Sequence, residues 1–102
     1  MAYLILENET GTTTSNPFRI NLGAKNSRDA DLPYLGVYGT IGTAIIKLQW
    51  KAADGNYYDT GDLINKLGLS RLPFSSETVL RLSLTAGGGS SISAEVINGI
   101  PI

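Results

Sequence analysis

The chain contains no cysteine and no histidine. The first absence excludes disulfides, thiolate metal sites and sulfur nucleophiles. The second removes the imidazole on which most acid–base catalysis and zinc binding rely. Charge is scarce too. Only 17% of residues are Asp, Glu, Lys or Arg, against roughly 25% in an average soluble domain. Eight basic residues nearly cancel nine acidic ones, for a net charge of -1, so no electrostatic force draws the chain toward nucleic acid. No apolar run approaches the ~20 residues needed to span a bilayer, which argues against a membrane partner. The opening Met1–Leu6 run is short and has no basic flank, so the chain reads as made and used without export. The length of 102 residues suits one domain, 1–102, with a single core.

What is plentiful is Thr, Ser, Asn and twelve glycines, a composition common in β proteins and in proteins covered by neighbours. Apolar residues recur every second position between turn signals, which is the period of a half-buried strand. In Thr43–Ala52, Ala44, Ile46, Leu48, Trp50 and Ala52 share one face; Ile45, Lys47, Gln49 and Lys51 share the other. Asp54-Gly55 then signals a hairpin, with Tyr57-Tyr58-Asp59 returning. Leu80, Leu82 and Leu84 alternate in the same way. After a Gly-rich connection at 86–91, read as a flexible tip, Ile92, Ala94 and Val96 follow as the return of a second hairpin. Pro17–Leu22 places Phe18, Ile20 and Leu22 inward, and Leu35 and Val37 mark a further strand, with Gly36 and Gly39 as bulges or tight turns. Asp62–Leu69 has helical spacing for at most one short helix near residues 62–68.

These elements predict an all-β fold, an antiparallel β-sandwich that is jelly-roll-like or immunoglobulin-like, with a small barrel as the second choice. Trp50 is expected at the centre of the core, where truncation to Ala would cost about 3–5 kcal/mol.

Reactive groups do not converge. Asp29-x-Asp31 is the one close carboxylate pair with ligand-like spacing, and it lacks further ligands for a calcium ion. Turn and cap roles account for Asp54, Asp59 and Asp62. Serine without histidine leaves Ser–Lys chemistry, and no Ser-x-x-Lys occurs. Gly87–Ser90 lacks the lysine of a phosphate loop. The sequence therefore reads as non-enzymatic, with no metal and no cofactor. Two kinds of binding residue remain. Tyr34, Tyr38, Tyr57 and Tyr58 could form a stacking platform for glycan, or pack across strands at a sheet rim. Tyr3, Leu4 and Ile5 near the start, and Ile97, Ile100, Pro101 and Ile102 near the end, are candidate partner contacts. The competing reading folds both segments back on their own core.

The run Gly39–Trp50, followed by Asp54-Gly55 and Tyr57, resembles a family of small β-sandwich virion proteins of tailed bacteriophages. So does Val79–Gly87 followed by Ser91–Glu95. The likeness covers roughly residues 36–97 and its motifs are structural; residues 1–35 match no named pattern. It implies a capsid decoration or cement protein, made in the host cytoplasm and placed on the capsid exterior. Its partner would be the major capsid protein, and it would be a homo-oligomer, commonly a trimer. The alternative is a head-fibre or tail-tip module that recognises host-surface glycan.

Overall fold

The computed structural model describes residues 2–21, 32–64, 66–74 and 76–102. Leu22 and the Asp29/Asp31 pair lie outside the described residues. The strands, in chain order, are β1 (Ala2–Glu9), β2 (Thr13–Thr14), β3 (Phe18–Ile20), β4 (Tyr34–Thr40) and β5 (Ile45–Lys51). They continue with β6 (Tyr57–Ile64), β7 (Gly68–Arg71), β8 (Thr78–Thr85), β9 (Ser91–Ile97) and β10 (Gly99–Pro101). Among the described residues there is no helix.

The strands form two antiparallel sheets, ordered β1-β9-β4-β7 and β10-β3-β8-β5-β6, with β2 also paired to β8. Both β2 and β3 lie along the edge of β8 opposite β5, so they behave as one interrupted strand. Buried Ser15 keeps that ladder closed at the interruption. Its N–H donates to Leu82 O, and its hydroxyl accepts from Leu82 N–H, both at 2.8 Å. With β2 and β3 counted together, β1-β9-β4-β7 faces β3-β8-β5-β6. That is the double Greek key of an eight-stranded jelly roll. The short β10 adds one more strand at the β3 edge.

Alternation builds the core. Leu80, Leu82 and Leu84 of β8, Ile46 and Leu48 of β5, and Phe18 and Ile20 of β3 point in from one sheet. Ile92, Ala94 and Val96 of β9, Leu35 and Val37 of β4, and Ile5 and Leu6 of β1 meet them from the other. The Asp54-Gly55 hairpin forms as expected: Gly55 N–H donates to Ala52 O at 3.0 Å and Ala52 N–H to Asn56 O at 2.8 Å.

Four expectations are corrected. First, β8 and β9 are not a hairpin; they lie in opposite sheets. Each carries a full apolar face, and the two faces bury each other across the core. Second, the Gly-rich connection is not a loose tip. Gly88 N–H donates to Thr43 Oγ1 at 2.7 Å, Ala86 N–H donates to Thr12 Oγ1 at 3.0 Å, and Ser90 caps Gly87. A Cβ on Gly87 would stand 2.3 Å from the Thr43 carbonyl carbon, so close packing of two loops requires glycine there.

Third, the helical turn allowed at 62–68 is not adopted. β6 runs on to Ile64, which pairs with Ile46, and two extra residues on β6 between Leu63 and Asp59 form a bulge. Thr60 Oγ1 fixes the bulge by donating to Leu48 O at 3.1 Å and accepting from Asp62 N–H at 3.2 Å. Pairing along β5 satisfies more backbone groups than one helical turn would.

Fourth, Trp50 is not at the centre of the core; it is 41% exposed. Its direction follows the alternation, on the same face as Ile46 and Leu48. It stands at the far end of β5, beyond the stretch where those two residues are buried. Substitution should separate the two environments in a urea unfolding series. Leu82→Ala is expected to cost about 2–5 kcal/mol, the range for a buried leucine. Trp50→Ala is expected to cost about 1 kcal/mol, and equal losses would contradict this placement.

Candidate functional site

Chain alternation, modified by bulges, decides which side chains reach the surface. In β1 the register against β9 slips between Leu4 and Leu6 and again between Leu6 and Glu9. The first slip turns Ile5 and Leu6 inward together, and the second accompanies Asn8, at φ 47°. Ser93 Oγ accepts from Asn8 N–H at 2.9 Å and donates to Asn8 Oδ1 at 3.3 Å, holding the second bulge. Ile5 is buried in the core and Tyr3 is partly buried against it. Leu4 remains on the surface, 40% exposed.

At the other end of the chain, Asn98 turns at φ 60° and its side-chain amide donates to Leu32 O at 2.9 Å. The backbone leaves the four-stranded sheet there and enters the six-stranded one as β10, against β3. Both readings of this segment hold in part. The backbone folds onto its own sheet, while Ile100, Pro101 and Ile102 (59% exposed) keep their side chains in solvent. β10 touches β1, so the outermost strands of both sheets share one flank of the sandwich. Along that flank, between β1 and β2, runs an open groove of about 310 Å³ with Glu7, Glu9, Thr13, Thr14 and Asn16 in its walls.

The four tyrosines do not assemble into one platform. Tyr34 and Tyr38 share the outer face of the four-stranded sheet. Tyr57 and Tyr58 are neighbours on β6 and point to opposite sides of the other sheet. Tyr57 lies under Arg81, whose guanidinium carbon is 4.0 Å from the ring centroid. Arg81 Nε donates to Gln49 Oε1 and Gln49 Nε2 to Asp59 Oδ1, both at 2.8 Å, with Lys47 Nζ 3.7 Å from Asp59 Oδ2. This polar ladder ties three strands together.

Tyr58 instead joins Trp50, its cross-strand partner, with ring centroids 6.2 Å apart and planes tilted by 43°. Tyr58 Oη donates to Asp54 Oδ2 at 2.6 Å, and Asn56 N–H donates to Asp54 Oδ1 at 2.8 Å. Two exposed rings and a fixed carboxylate thus gather beside the Asp54-Gly55 turn. The sequence signal for this cluster was the Trp50/Tyr58 register, which the assignment of Trp50 to the core concealed.

Leu69, 62% exposed, was also missed. It lies across Gly36 from Glu95, on the same outer face as Leu4, Tyr34, Tyr38 and Ile97. Among the described residues, no group of three or more carboxylates could hold a metal ion. No helix among them is long and apolar enough to cross a membrane.

No protein-family model, curated protein or solved structure matches the chain.

The Tyr58 hydroxyl, and after it the Asn56 N–H, hold the Asp54 carboxyl below its ordinary pKa. A depressed folded-state pKa stabilises the fold above the unfolded value, and that contribution fades as pH falls through the folded one. In Tyr58→Phe, the Asp54 side-chain ¹³C titration midpoint is expected to rise toward the ordinary carboxylate value. A midpoint that does not move would show that the hydroxyl is not the main cause.

Proposed function

We propose that this chain is a structural virion protein, a cement or decoration protein that binds and stabilises a bacteriophage head shell. The observation that carries the reading is the β1/β10 flank. There, edge strands of both sheets lie together, with Leu4, Ile100 and Ile102 presented to solvent. Unpaired strand edges and exposed apolar side chains are the two ingredients of strand-addition contacts. The jelly-roll strand order supports the reading by analogy, since capsid domains use it, and so does the resemblance over residues 36–97.

Such a protein acts by binding alone. Each contact it adds to the shell must break before the shell can open, so its partner is the major capsid protein and its place the capsid exterior. Homo-oligomerisation would multiply those contacts. Catalysis, nucleic acid and membrane have no part in the mechanism.

A second reading, a glycan-binding head-fibre or tail-tip module, is favoured by the Trp50–Tyr58–Asp54 cluster. Exposed rings stack on sugar faces, and a fixed carboxylate accepts hydroxyl hydrogens. Lectins also use jelly rolls.

One experiment decides between them. Purified protein is added to particles that lack it, and the temperature of DNA release is measured on heating. A rise is expected, and it should shrink in Ile100→Asp/Ile102→Asp while the isolated protein keeps its melting temperature. Failure to bind shells would overturn the proposal. Capture on a glycan array, lost in Trp50→Ala, would put the second reading in its place.

A further inference from the structure

We propose that the outer face of the four-stranded sheet binds a second copy of this chain across a two-fold axis lying over β4. The inference does not depend on the virion role, and it uses the sheet face around β4 rather than the β10 edge; Leu4 borders both.

The strand register lays this face out in rows. Ala2, Ile97, Tyr34 and Arg71 form one row across β1, β9, β4 and β7. Leu4, Glu95, Gly36 and Leu69 form the next. Ser93 and Tyr38 follow in a third. The first two rows are apolar apart from Glu95 and Arg71, and both of those charges are unmatched. Among the described residues the ion pairs are Arg19–Glu77 and Lys47–Asp59, and neither includes them.

Glu95 and Arg71 stand two strands and one row apart. With strands ~4.8 Å apart and rows two residues apart, their backbones are about 12 Å apart, and the two side chains do not pair within the chain. The midpoint of that separation falls on β4, between Tyr34 and Gly36. A two-fold axis in the plane of contact, placed at that midpoint, brings each Glu95 onto Arg71 of the other copy. The same operation lays Leu69 over the hollow at Gly36 and sets Ile97 against Tyr34. A Cβ placed at Gly36 would sit 3.5 Å from Glu95 Cγ and 3.8 Å from Leu69 Cδ1, so the hollow is bounded by those two side chains.

An isologous contact requires a surface complementary to itself, and one acid and one base placed symmetrically about an apolar centre meet that condition. An unrelated partner would impose no such symmetry. The size of the face sets the strength. Two rows of four strands and a third of two cover roughly 330 Å² per copy. Two such faces bury about 650 Å², short of the ~1,200–2,000 Å² of stable complexes. The dimer is therefore weak and concentration-dependent.

Sedimentation equilibrium of the full chain over a wide concentration range tests this. The mass is expected to climb from the 10.8 kDa chain toward twice that value. Glu95→Arg and Arg71→Glu should each weaken association roughly tenfold or more, because each places like charges together. The double exchange, Glu95→Arg with Arg71→Glu, should restore it. Circular dichroism checks that all three variants fold, and Leu69→Asp provides a second disruption that leaves both charges in place. A chain that stays monomeric at every concentration would overturn the proposal. So would a dimer that survives both single exchanges, or a double exchange that fails to rescue. Shell binding is measured on particles through the other flank, so failure of one idea is distinguishable from failure of the other.

Discussion

The constraint on which the rest depends is the burial of β8 against β9 across the core. Leu80, Leu82 and Leu84 face one way and Ile92, Ala94 and Val96 face back at them, and all six are fully buried. Paired side by side in one sheet, these strands would leave one continuous apolar face that still needed covering. Placed in opposite sheets, they cover each other. The connection between them must then arch over the end of the sandwich, where it meets the β4–β5 connection making the same crossing. Gly42 and Gly87 allow those two arches to touch: an added Cβ would stand 2.3 Å from Gly88 O in one case and from the Thr43 carbonyl carbon in the other. Within the glycine run, Gly87 is a packing requirement.

Much of the fold was legible because strand alternation is a local property. The inward set on β5, β8 and β9 can be read straight off the sequence, as can Phe18 and Ile20 on β3 and Leu35 and Val37 on β4. Alternation reports the side to which a residue points, and it carries no information about what stands opposite. Trp50 shows the difference: its direction was right and its depth was wrong, because depth depends on how far the facing residues extend. The same gap explains the second hairpin. Two alternating strands joined by a short loop look identical in sequence whether they pair or arch.

Bulges account for the rest. In β1, a slip at Ile5 put two consecutive residues into the core and left Leu4 alone outside, so a continuous apolar run at Tyr3–Leu6 divided its roles. In β6, the insertion around Thr60–Asp62 took up a stretch whose spacing suited a helical turn. Neither slip has a sequence signature as plain as Asp54-Gly55, because each depends on which partner strand lies alongside. The tyrosines follow the same logic. Tyr57 and Tyr58 are adjacent in sequence and therefore separated by the full thickness of their sheet, one under Arg81 and the other against Trp50.

What the surface offers is sorted by those placements. On the outer face of the six-stranded sheet, Tyr57, Arg81, Gln49, Asp59 and Lys47 form a continuous chain of contacts, so these groups already have partners. Among the described residues, the outer face of the four-stranded sheet has no such chain. Its two charges stand apart among Leu4, Tyr34, Leu69 and Ile97, and apolar surface left in water is what association removes. If both proposals hold, binding falls on one face and one flank of the jelly roll, although Ile45 and Leu63 are also exposed on the six-stranded sheet. A protein whose contacts are distributed in that way needs several of them at once to hold, since each is small. Repetition on a regular lattice would supply that, by the effective concentration it imposes on every later contact.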